Sequence, residues 1–510
     1  MSSRRQTHRP GKPFSSLVAG IPGALTAGST SVAVTGLAYD SRRVEAGDAF
    51  VCVRGEQTDG HCFAADAVAR GASAIVAESG RQHAVDLPPG GALAIVPDTR
   101  AAMAAIACRF YDDPSARLTL AGVTGTNGKT TTALMLDAIF RAAGHSTGLI
   151  GTIEYRIGER RVEPPHTTPE AIDLQRILAE MVAGGASHAA MEVSSHALAL
   201  HRADGCRFAA AVFTNLTPEH LDFHENMDAY LEVKRRLFED PEFLPASGQR
   251  CNAINIDDEA GRTIAVSARG RTLTYGLAAG ADCRAEDLDL AVDGTRLIVA
   301  HPAGSLPLRL RLLGQFNVYN ALGALSAAIG LGIDPAVAAA ALEEMAPVQG
   351  RFEHVPSKTR TVLVDYAHSP DGLERALETA RRLTRGRVIV VFGCGGDRDS
   401  TKRPVMGEIA GRLADRCVVT SDNPRSESPQ AIVDQIFAGI APQDRRHCSA
   451  EVDRAAAIRM ALEQARPEDL VLIAGKGHET YQIFADRTVD FDDREVALRA
   501  LREIEGDRDA

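Results

Sequence analysis

No Cys-x-x-Cys pair occurs among the nine cysteines, which stand scattered at positions 52, 62, 108, 206, 251, 283, 394, 417 and 448. An odd, unpatterned set excludes a disulfide framework and fits reduced thiols in a cytoplasmic protein. No run of about 18 apolar residues exists, so nothing in the sequence is fit to insert into a membrane. The basic stretch Met1 to Ser16, with Arg4, Arg5, Arg9 and Lys12, lacks the apolar segment of a signal peptide. Residues 1–16 are therefore expected to be a disordered tail. Internal repeats and low-complexity tracts are missing. Positive charge is in deficit: the formal net charge is -11, which argues against a nucleic-acid partner and leaves small anionic substrates open. What remains is 510 residues, 45% hydrophobic and 24% charged, a composition suited to a soluble protein of about three domains.

One dense signal lies near the centre. Gly122-Val-Thr-Gly-Thr-Asn-Gly-Lys-Thr-Thr-Thr132 follows an apolar run, Leu118 to Val123. It opens a helical pattern from Thr131 to about Ala143, with Gly144 as C-cap. A strand, a glycine-rich turn and Gly128-Lys129-Thr130 on a helix make a P-loop. Glycines let backbone N–H groups wrap phosphate oxygens, and the helix N-terminus favours their charge. Lys129 can reach the β- and γ-phosphates, and the Thr130 hydroxyl can sit on Mg²⁺. The usual glycine five residues before Gly128 is Val123 here; the nearest are Gly122 and Gly125. An ATP site over Gly125, Thr126, Asn127, Gly128, Lys129, Thr130 and Thr131 is the expectation.

Around this loop the chain reads as α/β in three domains, 17–114, 115–346 and 347–510. The first carries short strands at Ala49–Val53, Ala74–Ala77 and Leu93–Val96, and two polar turns, Asp40-Ser41-Arg42 and Gly55–Gly60. Those turns are either plain surface turns or ligand contacts. In the middle region, strands at Ser187–Val193, Ala209–Phe213 and Asn252–Ile256 alternate with helices, predicting a parallel sheet with helices on both faces. Ligands of such sheets sit beyond the strands' C-terminal ends. That directs attention to Glu192-Val-Ser194-Ser195-His196 and to Thr214-Asn215 with His220 and His224. A carboxylate and a His at adjacent strand ends could complete Mg²⁺ coordination, although magnesium prefers oxygen. Thr168 as N-cap and Pro169 at N1 predict a helix start that could also receive an anion. Along Tyr230–Phe238, Tyr230, Val233 and Leu237 form the inward stripe, and periodicity alone makes Lys234 a solvated flank. The last region repeats one device, a buried-type strand followed by a polar loop. It describes a Rossmann-like sheet with a crevice lined by Arg398, Asp422, Arg425 and Glu479. Such a set suits a zwitterion, or forms a surface ion-pair cluster.

Seven stretches, in order, resemble the Mur ligase family: Thr124–Thr131, Glu192–His196, Asn215 with His220, Tyr230-x-x-x-Lys234, Gly350–Glu353, Asp365–Pro370 and Gly475–Glu479. Asp422-Asn423-Pro424-Arg425 is similar to the recognition motif of the subgroup that attaches diaminopimelate as third residue of the peptidoglycan stem peptide. The resemblance implies a UDP-binding domain, an ATPase domain and a C-terminal Rossmann-like amino-acid-binding domain. It implies that Lys234 carries a CO2-derived carbamate and, with Thr130, Glu192 and His220, holds Mg²⁺. It further implies that Asn317 and Arg351 contact ATP, and that Ser41, Gln57, Thr58, Thr167, Thr168, Ser194 and Arg202 hold the UDP-muramoyl dipeptide. Arg398, Asp422, Asn423, Pro424, Arg425, Gly475 and Glu479 would hold diaminopimelate, and His368 is a candidate base for the incoming amine. His166 and Leu200 stand where that subgroup can carry Asn and Gln. The implied enzyme forms an acyl phosphate on D-glutamate, works as a cytoplasmic monomer on small-molecule substrates, and closes its domains to exclude water. Arg425 argues against a lysine-adding relative. The N-terminal domain argues against a folylpolyglutamate synthetase. Intact Lys129, Glu192, His220 and Lys234 argue against a non-catalytic nucleotide-binding regulator.

Overall fold

Strands such as Val388–Phe392 and Leu470–Ala474 are apolar at every position, so both of their faces must be covered. In the computed structural model they are. Val388, Val390 and Phe392 enter one core, and Ile389 and Val391 enter another on the opposite face. The structure describes residues 11–506, apart from 56–57, 82–84, 86, 220–222 and 246–249. Gln57 and His220 therefore lie outside the described residues.

Among the described residues, three large sheets organise the chain, beside two two-stranded ones. The first has five strands, with Ala92–Val96, Ala74–Glu78, Asp48–Val51 and Gly36–Ala38 parallel and Leu25–Gly28 antiparallel at one edge. The central sheet has eleven. Its parallel heart runs Thr147–Ile150, His188–Glu192, Thr119–Thr124, Ala210–Phe213, Cys251–Asn255, Arg271–Gly276. Further strands extend both sides: Tyr155–Ile157 and Arg160–Val162, antiparallel, on one, and on the other Cys283–Ala291, which joins parallel and starts an antiparallel meander to Leu310. Those extensions were not expected from the sequence pattern. The third sheet has six strands, five of them parallel, with Leu470–Ala474 inserted between Thr361–Asp365 and Val388–Phe392.

The helix after the P-loop, Lys129–Ala142, starts two residues before its predicted first turn and stops where Gly144 takes a left-handed φ of 84°. The expected disordered tail is corrected from Gly11 onward. Lys12 and Pro13 pair with Val34 and Ala33, and Phe14–Val18 is a helix whose Phe14 and Leu17 are core residues. Apolar burial explains the difference, since each such side chain contributes about 1.5–3 kcal/mol when covered. The predicted Thr168 N-cap is also corrected. The helix is Ala171–Ala183 with Glu170 at its N-cap position, and the Thr168 hydroxyl is spent on the backbone of the neighbouring strand end.

The units touch through specific groups. Tyr39 donates to Asp173 at 2.7 Å, and Arg100 pairs with Glu170 at 3.2 Å, tying the first sheet to the Ala171–Ala183 helix. Asn127 of the P-loop donates to Asp371, in the first turn of the C-terminal helix Pro370–Leu383, at 2.8 Å. Among the described residues, no helix is long and apolar enough to cross a membrane.

Candidate functional site

The strand order reverses beside Thr119–Thr124: the chain runs next to Thr147–Ile150, returns to His188–Glu192 on one flank of Thr119–Thr124, and then crosses to Ala210–Phe213 on the other. The P-loop, Glu192 and Thr214-Asn215 thus leave three adjacent strands at the same end. Asn215 grips the loop, its carbonyl accepting from Thr126 N and its Oδ1 from Asn127 N. Gly125 adopts φ 145°, and a Cβ there would run into the Thr214 hydroxyl, so no other residue suits the turn. Lys129 folds back to donate to the carbonyls of Gly125 at 3.0 Å and Thr126 at 2.7 Å. Burial lowers its pKa, opposed by Glu219 and Glu192 and reinforced by Arg351. Thr130 and Thr131 are buried at the helix start. Asn317 is fully buried; its amide holds Leu313 O and Asn320, and Asn320 in turn lies against Gly128.

Lys234 is where periodicity misleads. It is 1% exposed, while Val233 is only half-buried. Its Nζ donates to Gly125 O at 2.9 Å and lies 4.5 Å from the Tyr230 ring centroid. Burial, then the nearby Lys129 charge, pushes its pKa well below the ordinary lysine value, with Glu219 opposing. A buried amine inclined to be neutral is a nucleophile. Glu192 is equally buried: one oxygen accepts from Thr152 N at 2.7 Å, the other from the hydroxyls of Thr130 at 3.0 Å and Thr152 at 3.2 Å. Thr152 also meets Thr167, hydroxyl to hydroxyl, at 3.0 Å. Thr168 bridges Glu192 O and Ser194 N, and Arg202 donates to Thr168 O at 3.3 Å while pairing with Glu170 at 2.8 Å. Thr167, Thr168, Ser194 and Arg202 therefore form one contiguous wall beside Glu192. His224 is a packed residue, its ring stacked on Tyr230. Ser41 is buried in a short 3₁₀ turn and Thr58 is exposed, both on the first sheet's loops.

From the third sheet, Arg351 donates to the Thr130 hydroxyl at 3.3 Å and lies over the Tyr366 ring at 4.6 Å. Tyr366 also contacts the rings of His368 and His478. His368 Nδ1 faces Tyr366 O at 2.8 Å, which protonates Nδ1 and leaves Nε2 as the acceptor, 3.9 Å from Glu219. Burial, then the Arg351 and His368 charges, lowers the His478 pKa to about 4, so its ring is neutral at physiological pH.

The zwitterion-type crevice is built from three loops. Asn423 Nδ2 donates to Glu479 at 2.8 Å, and Lys476 Nζ reaches Asn423 Oδ1 at 3.1 Å and Glu479 at 3.2 Å. Gly475 has φ 119°, and a Cβ there would sit 2.7 Å from Asp422 Oδ2. Pro424 is buried, and Arg425, at φ 51°, donates to Gly396 O at 2.7 Å. Arg398 is exposed on the same glycine-rich loop, and Gly395 lies between it and Arg425. Lys476, Thr152, Glu219, Asp371 and His478 were not singled out from the sequence. Lys476, His478 and Asp371 lie in or beside stretches already conspicuous, whereas Thr152 had no local signal.

Three families match along the chain: "Mur ligase family, catalytic domain" at residues 33–111, "Mur ligase middle domain" at 123–328 and "Mur ligase, glutamate ligase domain" at 350–477. The chain is 46% identical over 470 residues to the UDP-N-acetylmuramoyl-L-alanyl-D-glutamate–2,6-diaminopimelate ligase of Syntrophomonas wolfei, covering 92% of this chain and 95% of that one. It is 47% identical over 471 residues to the protein of the same name from Gloeobacter violaceus, at 92% and 94% coverage. A solved structure of a ligase of that name superposes with TM-score 0.69 at 33% identity, covering 97% of this chain and 99% of that one.

Proposed function

The chain belongs to the Mur ligase family, and from that premise we infer that it adds meso-2,6-diaminopimelate to the D-glutamate γ-carboxylate of UDP-N-acetylmuramoyl-L-Ala-D-Glu, with ATP as co-substrate. The reaction belongs to peptidoglycan precursor synthesis. The observation that carries this reading is identity of 46% and 47%, over 92% of the chain, to relatives named for that ligase. The arrangement of the loops supports it.

ATP lies along the P-loop, where the N-terminus of Lys129–Ala142 and the Lys129 ammonium face its phosphates. Arg351 approaches the same Thr130 from the other side. The γ-carboxylate of D-glutamate attacks the γ-phosphorus, and ADP leaves. The amine nitrogen of diaminopimelate then attacks the acyl carbon, and phosphate departs. The attacking nitrogen must be neutral and lose a proton; the accepting Nε2 of His368 serves as base. Thr167, Thr168, Ser194 and Arg202, with Ser41 and Thr58 on the first sheet's loops and with Gln57, hold the UDP-muramoyl dipeptide. Arg398, Asp422, Asn423, Pro424, Arg425, Gly475 and Glu479 hold diaminopimelate. In that set Arg425 forks onto a carboxylate and the acidic groups take an ammonium.

The donor set fits a hard dication, with the buried Glu192 carboxylate and the Thr130 hydroxyl 3.0 Å apart. Thr130, Glu192, Lys234 as its carbamate, and His220 would hold Mg²⁺, which when bound neutralises charge on the phosphates. Lys234 suits carbamylation because its lowered pKa supplies the free amine that CO2 requires, one proton being released. The resemblance to the Mur ligases further implies a cytoplasmic enzyme acting as a monomer on small-molecule substrates.

The test is mass spectrometry of the nucleotide product. Incubation with the UDP-muramoyl dipeptide, ATP, Mg²⁺ and meso-diaminopimelate should yield the UDP-tripeptide in one-to-one ratio with ADP. ADP without the tripeptide would refute the reading.

A further inference from the structure

We propose that Lys476 is the positioning residue that sets the charge and geometry of the diaminopimelate pocket. The inference rests on the functional reading above and assigns a role to a side chain that does not itself need to touch substrate. Lys476 is fully buried, at 0% exposure. Its ammonium lies 3.1 Å from Asn423 Oδ1, 3.2 Å from Glu479 Oε2 and 3.7 Å from Asp422 Oδ1. It thus touches three of the groups proposed to receive the amino acid, from two different loops.

The contacts settle two matters. The first is orientation. Asn423 Oδ1 accepts from both Lys476 Nζ and Ile483 N, so its amide cannot flip, and its Nδ2 stays on Glu479 at 2.8 Å. The second is charge. Asp422 and Glu479 together carry two negative charges, and Lys476 removes one. The remaining single charge matches one ammonium of the ligand, while Arg425 is left for one carboxylate. Without Lys476 both carboxylates would lose a cation within 4 Å, and removing one partner of a buried ion pair is costly.

The backbone is secured independently of Lys476. Arg454 is fully buried, paired with Asp493 at 2.7 Å, and donates to Ser421 O at 3.3 Å and Ala474 O at 3.0 Å. It clamps the strand ends from which both loops leave. Loss of the Lys476 ammonium should therefore disturb the pocket side chains and spare the fold.

The experiment compares wild type, Lys476→Met, which keeps an unbranched side chain of similar length, and Lys476→Ala with and without n-propylammonium. Steady-state phosphate release is measured while diaminopimelate and ATP are varied in turn. Lys476→Met should raise the diaminopimelate KM at least tenfold and leave the ATP KM within twofold. Lys476→Ala should regain part of the lost kcat/KM with n-propylammonium and none with n-propanol. An unchanged diaminopimelate KM would overturn the proposal. So would an equal rise in both KM values with no amine rescue, which would mark Lys476 as merely structural. A wild type that releases no diaminopimelate-dependent phosphate would overturn the functional reading, and the role of Lys476 with it.

Discussion

Replacing Gly475 by alanine tests whether the loop after Leu470–Ala474 holds Asp422 in working position. Gly475 sits at φ 119°, a region that L side chains adopt only with strain of about 1–3 kcal/mol. The new methyl carbon would lie 2.7 Å from Asp422 Oδ2, closer than real Cβ contacts allow, so the carboxylate must shift. Asp422 has little room to do so: it is 6% exposed, its carbonyl accepts from Gln482 at 2.7 Å, and Lys476 lies on its other oxygen. If the strain is relieved by displacing the pocket, about 1–3 kcal/mol of amino-acid binding is lost, which is roughly 5–150-fold in the diaminopimelate KM. The P-loop is on a different sheet, so the ATP KM should stay within twofold. Phosphate release with diaminopimelate varied at saturating ATP and nucleotide substrate gives the first value, and the converse titration the second. A folded variant with an unchanged diaminopimelate KM would refute the reasoning.

Three other outcomes are expected. Removing CO2 from the buffer should slow turnover and bicarbonate should restore it, whereas Lys234→Met should lose about 10²–10³-fold and ignore bicarbonate; a CO2-independent wild type would count against the carbamate. Asp371→Ala removes the acceptor of hydrogen bonds from Asn127 at 2.8 Å and Thr217 at 3.0 Å across the domain boundary. Bonds to a charged group contribute about 1.5–3 kcal/mol each, so kcat should fall by about tenfold or more; unchanged kcat would show that the contact is not needed for turnover. Burial, then His145, lowers the His188 pKa from an ordinary 6.5 to about 4. A folded value below the unfolded one means the unfolded chain binds the proton first. Stability from this group is complete above pH 6.5 and is lost as pH falls toward 4. The melting temperature should drop across that window, less steeply in His188→Gln, and an equally steep drop would reject the assignment.

The P-loop was legible because its signal is local: glycines, Lys129 and Thr130 need only their own sequence neighbours to fix the turn. The buried strands of the third sheet were legible for a similar reason, since five consecutive apolar residues admit few other fates. Lys234 was not, because its burial is imposed by the P-loop packed over it, where Gly125 O accepts from its Nζ, and an isolated helix wheel, which shows only its neighbour Tyr230 one turn back, leaves it on the flank. Thr168 read as a helix cap because Pro169 follows it, yet the strand end at Glu192 claims its hydroxyl. Thr152, which anchors Glu192, lies in an unremarkable loop, and only strand adjacency reveals it. Asp422, Asn423 and Glu479 were visible as polar residues after strands, but the cation that joins them was not, because Lys476 acts between two loops separated by some fifty residues of chain.

The most direct test of the whole account is phosphate release with the UDP-muramoyl dipeptide, ATP and Mg²⁺, comparing meso-diaminopimelate with L-lysine for wild type and Arg425→Ala. The account predicts strong release with diaminopimelate alone, lost when the carboxylate-reading Arg425 is removed. Equal use of L-lysine by the wild type, or full diaminopimelate activity in Arg425→Ala, would contradict it.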